Sequence, residues 1–350
     1  MALKDFAAHI KSTYTNINIL LEPDVATELE TQVPFNVCSS PHKGDGTTLY
    51  HDKVDLIVTF GGDGTILHAS SLFAAAARVP PILSFSMGTL GFLSEWKFAE
   101  FKRAFRETYM SGSEAERKST ISDGDTGSKD SLTGWSSVRG KSMGSTRGAR
   151  VLVRQRLKVG IYDANGNRLT TKGSSSRDMH AMNEVLLHRG REPHLAIVDV
   201  FVGGRFLTEA VADGMIISTP TGSTAYSLSS GGSIIHPLVP SLLLTPICPR
   251  SLSFRPLILP WSTPITLKLS EKNRGREVEV SIDGARREQG IGVGTELRVL
   301  GEEVTQQNGE WRGGIPCVMR RSSAGAGGDD GWVGGLNGLL KFNYAFGEGN

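Results

Sequence analysis

The chain divides into an α/β half followed by a β-rich, sandwich-like half, and three observations predict this. A short apolar strand pattern at residues 55–60 runs through a glycine turn into a helix pattern. Helix-like and strand-like segments alternate up to about residue 110. From Val151 onward the pattern changes to short β-branched runs broken by Gly and Pro. At 350 residues and 39% hydrophobic content, the chain is long enough to bury two cores.

In chain order, the apolar spacing predicts a helix over Phe6 to Thr13 and a strand over Ile17 to Leu21. Asp55 to Phe60, rich in β-branched residues, reads as a parallel strand buried on both faces. A helix follows over Thr65 to Ala77, then a strand over Pro81 to Ser86, which makes the first half Rossmann-like. Ser111 to Arg150 is Ser-, Gly-, Asp- and Lys-rich and holds too few apolar residues to offset ordering entropy, so it is expected to be disordered. Strands are expected over Leu152–Tyr162, Ala196–Phe201, Met215–Ser218, Ile265–Leu269, Val278–Ile282 and Glu296–Val299. The prolines between Pro237 and Pro264 mark a loop-rich crossing segment.

Val58-Thr59-Phe60-Gly61-Gly62-Asp63-Gly64-Thr65-Ile66-Leu67 carries the most chemistry. Glycines let the backbone approach an anion, and the amides opening the helix carry the positive end of its dipole. Gly61, Gly62, Gly64 and Thr65 are therefore candidate phosphate contacts. Asp63 would repel phosphate as a ligand and fits better as acceptor for the proton of an attacking hydroxyl. No Gly-Lys-Ser/Thr follows, so this is not a Walker loop. In isolation, Asn183-Glu184 reads as a solvated pair at a strand start, Tyr226 as a half-buried tyrosine, and Asp283-Gly284 as a mainly structural hairpin.

Gly61 to Thr65 resembles the motif shared by NAD kinases, diacylglycerol and sphingoid-base kinases and phosphofructokinases. Ala181-Met182-Asn183-Glu184-Val185 and the glycine-rich segment from Ala212 to Ser227 are similar to NAD kinase motifs. Thr245 to Pro256 and Trp332-Val333-Gly334-Gly335-Leu336-Asn337 resemble the fungal mitochondrial NADH kinase subgroup. The likeness spans most of the chain outside about 112–150. It implies ATP-dependent phosphorylation of the adenosine-ribose 2′-hydroxyl of NAD⁺ or NADH, with ATP and Mg²⁺ required. It also implies Asp63 as base, Asn183 and Glu184 on the sugars, and Thr224, Tyr226 and Ser227 at the adenine end. Phe92 would line the adenine pocket, Asp213 would lie near the nicotinamide or a neighbouring subunit's ligand, and Arg189 and Arg191 would meet diphosphate charge. The implied plan has an α/β domain over 1–111, the insertion over 112–150 and a dinucleotide-binding domain over 151–325. A C-terminal helix over 326–350 returns to the first domain, and the site lies in a cleft between the domains. The expected partners are the small-molecule substrates NAD(H) and ATP, and a homo-oligomer is expected. A lipid kinase sharing the Gly61–Thr65 motif, or an inactive dinucleotide binder, remains open.

Net charge is +2, from 38 basic and 36 acidic residues, which gives no electrostatic footprint of nucleic-acid binding. No apolar run reaches a membrane span. The eight histidines lack zinc-site spacing, so no metal ligands are assigned, and His68 reads as an ordinary helix histidine. Cys38, Cys248 and Cys317 form no disulfide framework and suggest a reducing compartment. The resemblance points to the mitochondrial matrix, although residues 1–20 make no Arg-rich presequence, and the cytoplasm is the alternative. Family members open with a strand ending in Lys-Pro, whereas Met1 to Phe6 begins inside the helix that follows it, so a strand is expected to be missing and stability reduced. Scanning calorimetry should then show melting below about 45 °C, the lower end for mesophilic domains. A single cooperative transition above it would count against this expectation.

Overall fold

The computed structural model describes residues 2–14, 16–30, 38–39, 46–88, 91–112, 149–169, 179–288, 290–307 and 310–320, together with Trp332, Leu336, Leu339 and Leu340. The expected disorder of 112–150 lies outside the described residues apart from its ends. Apart from four residues, so does the C-terminal helix. Two compact units emerge, residues 1–69, 80–152 and 316–350 forming one and residues 70–79 and 153–315 the other.

Elements of the first unit are α1 (Ala2–Thr13), β1 (Leu20–Leu21), α2 (Pro23–Glu30), β2 (Cys38–Ser39), α3 (Gly46–Lys53), β3 (Ile57–Phe60) and α4 (Asp63–Ser71), whose last residues belong to the second unit. β4 (Ile82–Ser86), β5 (Trp96–Lys97), α5 (Phe101–Gly112) and β6 (Arg150–Arg154) follow. β1 and β2 pair in parallel as a separate ribbon. β3 runs parallel to β4 with Ile57 opposite Ile82 and Phe60 opposite Phe85, the strand–turn–helix order that open α/β sheets use. α1 turns Phe6, Ala7 and Ile10 inward, the i, i+4 spacing of one helix face. There Phe6 meets Phe60 at 5.2 Å and Phe105 at 5.5 Å in edge-to-face contacts. Leu83, Phe85, Trp96 and Ala104 complete this core.

β3 departs from expectation. Only Thr59 is buried, whereas β4 is buried along its whole length. Among the described residues β3 is the edge of its sheet, so one flank lacks the neighbour that covers β4. The helix predicted to Ala77 also ends early, at Ser71. The amides of Phe73, Ala74 and Ala76 bond three residues back, and the carbonyls of Phe73 and Ala76 accept from the Arg156 guanidinium at 3.1 and 2.9 Å. The expected single strand Leu152–Tyr162 is broken at the same arginine, which lies between β6 and β7 (Leu157–Tyr162).

The second unit continues with β8 (Met179–Ala181), β9 (Glu184–His188), β10 (Ala196–Val202), β11 (Arg205–Ala212), β12 (Gly214–Ser218), the short α6 (Tyr226–Ser229), β13 (Ser241–Ile247) and β14 (Leu257–Pro260). β15 (Ile265–Leu269), β16 (Glu277–Ile282), β17 (Ala285–Arg286), β18 (Ile291–Gly292), β19 (Glu296–Gly301), β20 (Thr305–Gln307) and β21 (Glu310–Arg312) complete it. The last strand, β22 (Ile315–Met319), runs parallel to β4 with Cys317 opposite Ile82, so the chain rejoins the first unit at Pro316, earlier than the 325/326 boundary read from the sequence.

Two antiparallel sheets face each other here, in the orders β11-β10-β15-β19-β7-β8 and β14-β13-β12-β9-β16-β17. Alternate residues point into one shared core: Ala196, Val198 and Val200 of β10, Leu267 and Leu269 of β15, and Val299 of β19 from one sheet. Val185 and Leu187 of β9, Met215 and Ile217 of β12, and Val280 of β16 come from the other. The segment expected to be loop-rich between Pro237 and Pro264 in fact contains β13 and β14. β14 pairs only with Ser241–Leu244, so Pro246 lies past that ladder, where its missing N–H is not demanded on that side.

Leu187 is fully buried in the centre of this sandwich. Leu187→Ala should lower stability by about 2–5 kcal/mol, read as a shifted urea midpoint with unchanged slope.

Candidate active site

In the first unit, the β3–α4 turn holds the predicted glycine cluster. A Cβ at Gly61 would run into the Thr65 hydroxyl, whereas Cβ atoms at Gly62 and Gly64 would meet nothing within 4 Å, leaving open space above the turn. The amides of Asp63 and Gly64 open α4 and have no intrahelical acceptor. The half-buried Asp63 carboxylate accepts from the amides of Phe92 at 2.9 Å and Leu93 at 3.0 Å, one to each oxygen. A Cβ at Gly91 would collide with that carboxylate, so glycine there is what lets the Phe92 loop close onto Asp63. Each oxygen keeps a further lone pair for a hydroxyl. His68 is engaged with Glu22 at 2.6 Å on the surface.

In the second unit, Asn183 and Glu184 are 7% and 9% exposed, which overturns the solvated-pair reading. They sit at the entry to β9, between β12 and β16, where Ser218 is opposite Glu184 and Ile282 opposite Val185. Three neighbours fix their backbone. The Thr219 amide donates to the Asn183 carbonyl at 2.9 Å, and the Thr219 hydroxyl to the Met182 carbonyl at 2.6 Å. A Cβ at Gly222 would strike the Asn183 carbonyl, so the glycine-rich segment must be bare at that point. The Asp283 carboxylate accepts from the amides of Met182 (2.7 Å), Asn183 (2.7 Å) and Glu184 (3.1 Å). By contrast, Asn183 Oδ1 and Glu184 Oε2 are buried and have no hydrogen-bond partner in the structure. Native proteins leave few such atoms unpaired, which singles this pair out.

Burial pushes the Glu184 carboxyl up to about 7, with the negative charge of Asp283 adding to the shift.

The remaining candidates divide. Thr224 is half-buried and its hydroxyl donates to the Thr221 carbonyl at 3.1 Å. Tyr226 is 40% exposed and offers a ring face. Phe92 is half-buried beside its bond to Asp63. Ser227 is placed differently from the expectation. It is fully buried, bonded to Thr245 Oγ1 at 2.8 Å and packed under Gly232, so it supports the segment and does not present a hydroxyl to a ligand. Asp213 lies at the opposite end of the β9–β12 ladder from Glu184, since Gly214 pairs with His188. Four or five residues of strand separate the two by roughly 15 Å, so Asp213 is not part of the Asn183–Glu184 group. Asp213 instead pairs with Arg189 at 2.6 Å, which takes up the guanidinium expected to meet diphosphate. The sequence reading missed Thr219 and the three-amide role of Asp283. The Asp-Gly pair was the only available signal for the latter.

The first unit thus has the parallel-strand, glycine-turn architecture of a nucleotide-binding α/β domain, and the second is an antiparallel sandwich with an unsatisfied polar pair. Residues 5–112 match the family model described as ATP-NAD kinase N-terminal domain, and residues 182–300 the one described as ATP-NAD kinase C-terminal domain. The chain belongs to the NAD kinase family. It is 36% identical to the mitochondrial NADH kinase of Saccharomyces cerevisiae over 99% of this chain and 78% of that protein. It is 40% identical to the mitochondrial NADH kinase of Schizosaccharomyces pombe over 97% of this chain and 70% of that protein. The crystal structure of yeast NADH kinase complexed with NADH superimposes with a TM-score of 0.72 at 36% identity, covering all of this chain and 85% of that one. An NAD kinase from Archaeoglobus fulgidus, solved in complex with ATP, shares the fold at a TM-score of 0.55 and 17% identity over 93% of this chain and 99% of that one.

The raised Glu184 pKa sets a sign for stability. A carboxyl whose folded pKa lies above its ordinary value of 4.5 binds more protons folded than unfolded, so its contribution is most favourable below 4.5 and declines as pH rises through about 7. Glu184→Gln removes the buried charge. Thermal melts should show the variant gaining on the parent between pH 5 and pH 8. An equal difference at both pH values would contradict the assignment.

Proposed function

We propose that this protein transfers the γ-phosphoryl group of ATP to the 2′-hydroxyl of the adenosine ribose of NAD⁺ or NADH, giving NADP⁺ or NADPH. One observation carries the reading: Asn183 Oδ1 and Glu184 Oε2 are buried acceptors without donors, which is what a vicinal sugar diol would supply. Its relatives' names and the NADH in the yeast structure support the same substrate class.

In this reading the amides around Gly61 to Thr65 bind triphosphate charge, with Gly62 and Gly64 leaving room for it. Asp63 takes the 2′-hydroxyl proton as oxygen attacks phosphorus. The new O–P bond forms as the bond from the γ-phosphorus to the bridging oxygen breaks, and ADP leaves with that electron pair. The amides of Phe92 and Leu93 hold the carboxylate in one orientation for the transfer. Asn183 and Glu184 fix the diol, while Thr224, Tyr226 and Phe92 contact the adenine end. Mg²⁺ would come with the nucleotide phosphates. Among the described residues no group of three or more His, Cys, Asp or Glu could hold a metal ion.

Location in mitochondria is proposed from the names of the two fungal relatives. No described helix is long and apolar enough to cross a membrane. Self-association is proposed on the family resemblance alone.

The test is a product assay with ATP-Mg²⁺ and, in parallel, NAD⁺, NADH and diacylglycerol. Either dinucleotide should be phosphorylated and the lipid should not. Loss of the proton acceptor in Asp63→Asn should lower kcat about 10²- to 10⁴-fold. A variant within threefold of the parent would remove Asp63 from the role of base.

A further inference from the structure

Asp283 is one of two non-glycine residues with positive φ among the described residues, at 48°. This left-handed conformation is uncommon for a side chain with a Cβ and persists where surrounding contacts enforce it. The amides of Met182, Asn183 and Glu184 converge on the Asp283 carboxylate, and the Asp283 amide donates back to the Glu184 carbonyl at 3.0 Å. Thr219 grips the carbonyls of Met182 and Asn183. The main chain from 182 to 184 is therefore held through its amides by Asp283 and through its carbonyls by Thr219, while the two side-chain acceptors, Asn183 Oδ1 and Glu184 Oε2, are left unbonded.

We propose that Asp283 is a positioning residue for dinucleotide recognition: it fixes the backbone from which Asn183 and Glu184 present their acceptors to the ribose hydroxyls. This rests on the sugar-binding reading of the pair. A hairpin aspartate needed only for its turn would bond within the hairpin, whereas this one spends both oxygens on amides about a hundred residues away in sequence.

The arrangement has an electrostatic consequence. The charged groups acting on the pair are Glu184 at the entry to β9, Asp283 after β16, and Arg156 between β6 and β7, whose positive charge favours ionised Asp283. Burial is the largest influence and raises the Asp283 carboxyl above its ordinary value, opposed by the three amides and, least, by Arg156. Ionised Asp283 in turn disfavours charge on Glu184. A diol donating to Glu184 stabilises its charged form, so dinucleotide binding should release a proton near neutral pH and tighten as pH rises from 6 to 8.

The test uses the full chain with ¹³C-labelled glutamate and Asp283→Asn. Without ligand, the Glu184 carboxyl should titrate at lower pH in the variant, because the neighbouring charge is gone. NAD⁺ binding by calorimetry at pH 8 should weaken at least tenfold, while ATP binding stays within twofold. Asp283→Glu, which keeps the charge and displaces the carboxylate, should retain the high Glu184 midpoint yet also weaken NAD⁺. In the parent, the amide protons of Met182, Asn183 and Glu184 should all shift downfield as hydrogen-bonded donors, a readout that needs no variant to fold. An unmoved Glu184 midpoint with unchanged NAD⁺ affinity, or the absence of those downfield amides, would overturn the proposal. A parent that binds neither NAD⁺ nor NADH would instead overturn the sugar-binding reading and the ligand half of this inference, while the ligand-free titration would still decide whether Asp283 and Glu184 are coupled.

Discussion

Burial of the polar residues at the entry to β9 is the constraint on which the second unit depends. A central strand flanked on both sides must satisfy its backbone, and Asp283 and Thr219 do so for residues 182–184. The side chains of Asn183 and Glu184 are left unsatisfied in the same place. Each unpartnered buried group destabilises by roughly 1–3 kcal/mol, which the surrounding apolar sandwich offsets. In the proposed reading, a ligand that donates to these atoms would return that stability on binding.

A second buried polar group shapes the same unit. Arg156, 1% exposed, forms a two-point ion pair with Glu302 at 2.7 and 2.6 Å, and His180 Nε2 lies 3.3 Å from the same carboxylate. The guanidinium also accounts for the carbonyls of Phe73 and Ala76, and His180 Nδ1 meets the Ala74 carbonyl at 2.7 Å. A buried charge with this many partners is retained for geometry more than for net stability. Here it ends the helix pattern at Ser71 and anchors residues 70–79 to the sandwich, while the Gly314 amide adds a further donor to Glu302 at 2.7 Å.

In the first unit the corresponding economy is steric. Gly91 and Gly61 are required by close approach to Asp63 and Thr65, whereas Gly62 and Gly64 face open space. The four glycines therefore do two jobs, closing the turn on itself and keeping its outer surface low. Carboxylate, amides and bare backbone together give the arrangement on which the proposed role of Asp63 as proton acceptor rests.

Much of this was legible without coordinates. The strand over 55–60 that leads through a glycine turn into a helix, and the alternating strands Ile265–Leu269 and Val278–Ile282, follow from local spacing, because period-2 burial and glycine turns are properties of neighbouring residues, whereas the weight given to Asn183 and Glu184 came from the family resemblance. Long-range contacts decided the rest. Ser227 looks like Thr224 in the sequence, yet only its packing against Thr245 and Gly232 removes it from reach of a ligand. Asp213 shares a motif with Tyr226 but is parted from Glu184 by the length of β12. Asp283 looked like a turn residue until the fold set it against three amides on a different strand. The motifs, and the resemblance they carry, indicated which chemistry to expect of this chain; which polar atoms are satisfied and which are left unbonded depends on segments a hundred residues apart meeting in one core, and only the tertiary structure decides that.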